Sequence, residues 1–181
     1  MKKIIFIVLS LIVLTGCGCS NMDNTPTKKV EAYFNKYQTL DNSVIDDLDT
    51  ILGTDTTMSE DNRTAYRDFM KKHYQDLKYE IKDETIDGDT ATVEVEITVR
   101  DYSQAVADAD TYKSENESEF NDENGAYDAS LFSNYRLEEL KKVQDTKTYT
   151  LNLTLTKQND EWTLNQLSDE DLNKINGLYA G

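Results

Sequence analysis

The chain has 181 residues, with 19 Lys and Arg against 35 Asp and Glu, a formal net charge of -16, two cysteines and one proline. Its length fits one domain with one core, and its charge repels phosphate backbones; with no run of Lys or Arg, nucleic-acid binding is excluded. Cys17 and Cys19 stand two apart and cannot staple distant segments, so a disulfide scaffold is excluded as well, while a mean hydropathy of -0.68 leaves folding itself to be established from periodicity.

Lys2 and Lys3 open the chain, and the apolar run Ile4 to Leu14 is too short to cross a bilayer but matches the hydrophobic region of a secretory signal. It ends in Leu14-Thr15-Gly16-Cys17, which resembles the bacterial lipobox, where small residues before a cysteine let that cysteine be diacylated and become the new N-terminus. The resemblance implies a signal peptide over residues 1–16 and a diacylglyceryl group on Cys17. It also implies a protein held at the cell membrane on its extracytoplasmic face. Cys19 follows Gly16, Cys17 and Gly18, where an aliphatic residue is wanted, and reads as a free thiol on a polar tether, residues 17–25, with a second acylation site as the alternative. Removing residues 1–16 takes away two lysines and lowers the net charge to -18. Two acyl chains, at roughly 0.8 kcal/mol per buried methylene, hold such a protein without a transmembrane helix. The eight residues from Gly18 to Thr25 reach at most about 3.4 Å each, keeping the folded part within roughly 27 Å of its anchor. Its acidity discourages it from lying flat on anionic lipid.

Thr25-Pro26 is a helix start, a capping hydroxyl followed by a proline whose missing N–H costs nothing at the first helical position. Val30, Tyr33, Phe34 and Tyr37 form one buried stripe. After a break near Asp41, Val44, Leu48, Ile51 and Leu52 repeat the pattern up to Gly53. Ser59 then precedes Glu60 and Asp61, and Tyr66, Phe69, Met70, His73, Tyr74 and Leu77 make a third stripe.

At Leu77 the period changes from 3.6 to 2. Leu77, Tyr79 and Ile81 alternate with charged residues up to Asp87-Gly88, a hairpin turn. Ala91, Val93, Val95, Ile97 and Val99 then alternate with polar residues, as on a sheet with one wet face. Tyr149, Leu151, Leu153 and Leu155 form a second such strand, which Asn159-Asp160 turns into one carrying Trp162 and Leu164. Ser168 caps a final short helix through Leu172, Ile175 and Tyr179. Residues 103–145 are too many for a structureless loop; Val106 and Ala109 predict one helix, and Phe132, Tyr135, Leu140 and Val143 another. From Asp108 to Asp128 eight acids face only Lys113, so this insertion reads as the mobile or variable part of the fold.

The outline is an α+β domain over residues 26–181, with N-terminal helices packed on a curved antiparallel sheet and a helical insertion, 103–145, between two hairpins. It resembles the cystatin-like and nuclear-transport-factor-like cone folds, and in particular small lipoproteins of Gram-positive Firmicutes. The resemblance rests on the lipobox, on Thr25-Pro26 with Tyr33, Phe34 and Tyr37, on the segment from Tyr74 to Tyr102, and on the stretch from Trp162 to Tyr179. Cone folds host enzymes, binding modules and scaffolds alike, so the resemblance does not choose among them.

Catalysis in such a fold requires titratable groups on the inner strand faces, and these hold only the Tyr149 hydroxyl, with Asp101 next in phase at the strand end. His73, the sole histidine, lies on an apolar helix face where packing is the commoner role. A rim pair of His73 and Asp101 is the enzymatic alternative, a small hydrolase or isomerase. Asp83, Thr85, Asp87, Gly88 and Glu94 nearly match a calcium loop, but both flanks have strand period where that loop needs helices. The acidic insertion could collect divalent cations loosely; its default reading is a solvated surface. No metal site or cofactor is expected. The leading expectation is a membrane-anchored, non-enzymatic domain that binds a protein, peptide or envelope component.

Overall fold

Thr25 and Pro26 start the first helix as their chemistry requires. The Thr25 hydroxyl accepts from the Lys28 amide, and α1 runs Pro26–Gln38 in a computed structural model that describes residues 24–181. The signal peptide, Cys17 and Cys19 lie outside the described residues. Helix α2 (Asn42–Thr54) is capped by the Asp41 carboxylate and α3 (Glu60–Asp76) by the Ser59 hydroxyl. Most of their buried residues belong to the predicted stripes, Val30 and Phe34, then Val44, Leu48 and Leu52, then Tyr66, Met70, His73 and Tyr74; Pro26 and Asn62 are buried as well, while Tyr33, Tyr37, Ile51 and Phe69 are only partly so.

Strands β1 (Lys78–Asp87), β2 (Thr90–Arg100), β3 (Thr146–Gln158) and β4 (Glu161–Leu164) form one antiparallel sheet in the order β1-β2-β3-β4, curved and unclosed. Both hairpin turns are two residues long in backbones with positive φ, at Gly88 (58°) in the first and at Asn159 (51°) and Asp160 (63°) in the second. The register places Val93 opposite Leu153, Val95 opposite Leu151 and Ile97 opposite Tyr149. That face is the core: Val93, Val95, Ile97, Leu151 and Leu155 are wholly buried, each contributing about 2 kcal/mol of transfer free energy. Helix α1 packs on it, stacking Phe34 on Tyr79 at 4.9 Å between ring centroids and setting Tyr37 edge-on to Tyr74 at 5.2 Å. The result is an α+β fold.

Strand β1 departs from the predicted alternation. Its register shifts between Ile81 and Asp83, where Lys82 bulges out and bridges Glu80 and Glu96 at 2.7 and 3.1 Å. Before the bulge Tyr79 and Ile81 occupy the inner face; after it the phase passes to Glu84 and Ile86, opposite Val93 and Ala91. Ile86 stays 52% exposed on this edge strand, and Glu84 reaches the start of α1, accepting from the Thr27 amide at 2.8 Å.

Residues 103–145 contain α4 (Ser103–Glu115), a short 3-10 turn (Glu117–Phe120) and α5 (Ala129–Lys142). Ala109, Phe120 and Phe132 build a satellite core there, with Tyr112 stacked on Tyr135 at 4.8 Å. Helix α6 (Asp169–Ile175) is capped by Ser168 as expected but stops before Tyr179, because Gly177 takes φ +69° and reverses the chain.

Candidate functional site

The C-terminal turn of α6 meets α3 and the end of β2 at one junction. The His73 ring nitrogen Nε2 lies 3.1 Å from the Ile175 carbonyl, and the Tyr102 amide donates to the Gly177 carbonyl at 2.7 Å. A Cβ on Gly177 would come within 1.9 Å of the Arg100 carbonyl oxygen, so only glycine permits this approach. The His73 ring is 3% exposed and lies 5.9 Å from the Tyr74 ring and 5.5 Å from that of Tyr102. Burial strips its water and pushes its pKa down to about 4, outweighing the Ile175 bond that favours the charged form. The imidazole is therefore neutral at physiological pH. Burial likewise pushes the hydroxyls of Tyr66 and Tyr102 up to about 12.

Asp101 follows β2 and is half-buried, but it serves the start of α4. Its amide donates to the Asp145 carbonyl at 3.0 Å, and its Oδ1 accepts from the amide and hydroxyl of Ser103 at 3.2 and 2.5 Å. No hydrogen bond joins it to His73, whose Nε2 is taken by Ile175 and whose Nδ1 has no partner among the described residues. The structure thus places the two residues in different local networks.

Beside the junction lies a cavity of about 10 Å³, walled by Tyr66, Phe69, Met70, Tyr102, Leu140 and Leu178, with His73 and Asn176 as its most polar side chains. Sequence reasoning reached His73 and missed Asn176, Gly177 and Glu84. Gly177 carried a signal, since a glycine shortly after a helical stripe marks a left-handed helix end. Asn176 and Glu84 carried none, because a bulge and a close approach set their roles.

Several carboxylates of the acidic insertion bond locally. Asp122 accepts from the amides of Asn124 and Ala126, Asp128 caps α5, and Glu119 accepts from the Tyr112 hydroxyl. Lys113 turns its ammonium to the rings of Tyr127 and Phe132, 4.5 and 4.6 Å from their centroids. Among the described residues no three His, Cys, Asp or Glu side chains converge on a point that could hold a metal ion. The near-match to a calcium loop spans the β1–β2 hairpin, with strands on both flanks.

Residues 1–17 match the prokaryotic membrane lipoprotein lipid attachment site. No curated protein matches the chain. Among solved structures it is similar to YcdA of Bacillus subtilis, reported as a lipoprotein, at 18% identity and a TM-score of 0.44; the match covers 87% of this chain and 50% of that one. The attachment site makes this chain a lipid-anchored membrane lipoprotein, and among the described residues no helix is long and apolar enough to cross a membrane.

Proposed function

We propose that Cys17 carries the lipid after removal of residues 1–16. Residues 26–181 then form a single cone-like domain on the extracytoplasmic face, one that docks an extended polypeptide and catalyses nothing. The observation that carries the docking reading is the open edge of β3. Strand β4 pairs only with Leu155 to Gln158. The Thr154 carbonyl accepts from Asn165, so even-numbered residues of β3 turn their main-chain groups toward that edge. By the same period the N–H and C=O groups of Thr148, Thr150 and Asn152 face outward, and no partner for them exists among the described residues.

Alternating donors and acceptors at strand spacing match an extended backbone better than any other ligand. The opposite edge is guarded: β1 has the Lys82 bulge and the charges of Lys78, Glu80, Asp83 and Glu84. The stretch from Thr148 to Leu153 has no charge, proline or bulge.

A photo-crosslinking residue in place of Thr148, in the full lipoprotein on intact cells, tests this against the same residue in place of Lys82. Crosslinking to a polypeptide at Thr148 and not at Lys82, and its loss in a Thr150→Pro background, is the expected result. Equal labelling of both edges, or none at Thr148, removes the docking reading. Release of a Cys17→Ala chain from the membrane fraction tests the anchor independently.

A further inference from the structure

Two buried hydrogen-bond acceptors at the α3–α6 junction have no protein donor among the described residues. The Ile175 carbonyl can only accept, so the His73 nitrogen beside it, Nε2, carries the ring proton, and the neutral ring leaves Nδ1 as a lone pair. Asn176 is oriented by the same logic. Its Nδ2 donates to the Leu172 carbonyl at 2.8 Å, so the other atom of the amide is the oxygen. Both His73 Nδ1 and Asn176 Oδ1 are buried and unpartnered, and both residues line the same cavity.

The remaining walls are Tyr66, Phe69, Met70, Tyr102, Leu140 and Leu178; their only polar side-chain groups are the two tyrosine hydroxyls, and neither is hydrogen-bonded to His73 Nδ1 or Asn176 Oδ1. Whatever satisfies the two acceptors must bring two donor hydrogens on a body no larger than the cavity of about 10 Å³, which is room for one water. We propose that this cavity is a specific site for a single water molecule, donating one hydrogen to His73 Nδ1 and the other to Asn176 Oδ1. The water completes a link that the direct bonds begin. It joins α3 to the residue between Ile175, held by His73, and Gly177, held by Tyr102. Leaving either acceptor dry costs a full desolvation penalty, whereas one ordered water removes both.

The sole histidine makes the test unambiguous, because ¹⁵N-histidine labelling of the full lipoprotein in detergent micelles gives one pair of ring signals. At pH 7 the expected spectrum shows Nε2 protonated, Nδ1 shifted toward the position of a hydrogen-bonded acceptor, and cross-relaxation between a ring proton and a long-lived water. An Asn176→Leu chain, which fills the cavity, should move Nδ1 to the position of a bare lone pair and lose the water signal. The proposal is overturned by a bare Nδ1 in the unaltered protein, by a proton on Nδ1, or by a bonded Nδ1 without water cross-relaxation. Each of those three readings comes from the unaltered chain, so the test survives a variant that fails to fold.

Discussion

His73 donates from Nε2 to the main-chain carbonyl of Ile175 at 3.1 Å, joining α3 to α6 across 102 residues of sequence. The bond holds a neutral imidazole in a site where its charged form is disfavoured. With the folded pKa lowered to about 4 and the unfolded value near 6.5, the unfolded chain binds more protons between those limits. Stability is therefore full above about pH 6.5 and declines as the pH falls toward 4, by roughly 3 kcal/mol in all. Urea unfolding at pH 7.5, 6 and 5 should show this slope, and His73→Phe should flatten it between pH 6.5 and 5. Identical slopes in the two proteins would mean that His73 does not titrate as its burial requires.

Gly177 and Gly125 both have positive φ, +69° and +79°, but only Gly177 has a neighbour in the way. Gly177→Ala should cost at least about 2 kcal/mol, combining left-handed strain with the clash on Arg100. Gly125→Ala should cost about 1 kcal/mol, from strain alone. Thermal unfolding of the pair decides the matter; equal losses would contradict the tight packing of α6 on the end of β2.

Glu84 accepts from the Thr27 amide only because the Lys82 bulge swings it toward α1. Glu84→Ala should lower stability by about 1 kcal/mol, since it removes both an acceptor and a negative charge from the helix start. Added salt should shrink the part owed to charge, leaving the hydrogen-bond part. A loss unaffected by salt from low to near-molar concentration would rule out the electrostatic contribution.

Neighbouring positions on β3 should respond oppositely to proline. The Thr150 amide faces the open edge, so Thr150→Pro should leave a folded protein, weakened by about 1 kcal/mol. The Leu151 amide faces β2 and its side chain is wholly buried, so Leu151→Pro should cost more than about 3 kcal/mol and abolish cooperative unfolding. Circular dichroism and urea titration separate the two. Equal damage would show that Thr150 is not at an open edge.

The lipid attachment site and the faces of the main elements were legible from residue order alone. A cysteine after a short apolar run is a linear signal, and Val93, Val95 and Ile97 or Val30 and Phe34 reveal their common face through period. The caps at Thr25 and Ser168 were legible because they act within three residues, while the capping roles of Asp41 and Ser59 emerged with the helices they start. The exchange of phase in β1 was not, since a bulge depends on how the partner strand pairs. Nor was the limited reach of β4, which leaves the edge of β3 open. His73 marks the boundary most clearly. Its helical position showed that it would be buried, but only the folding of α6 back onto α3 decided that its partners would be the Ile175 carbonyl and the Asn176 cavity and not Asp101. Local physics acts between residues a few places apart and is written in sequence; contacts across 102 residues arise when the chain closes.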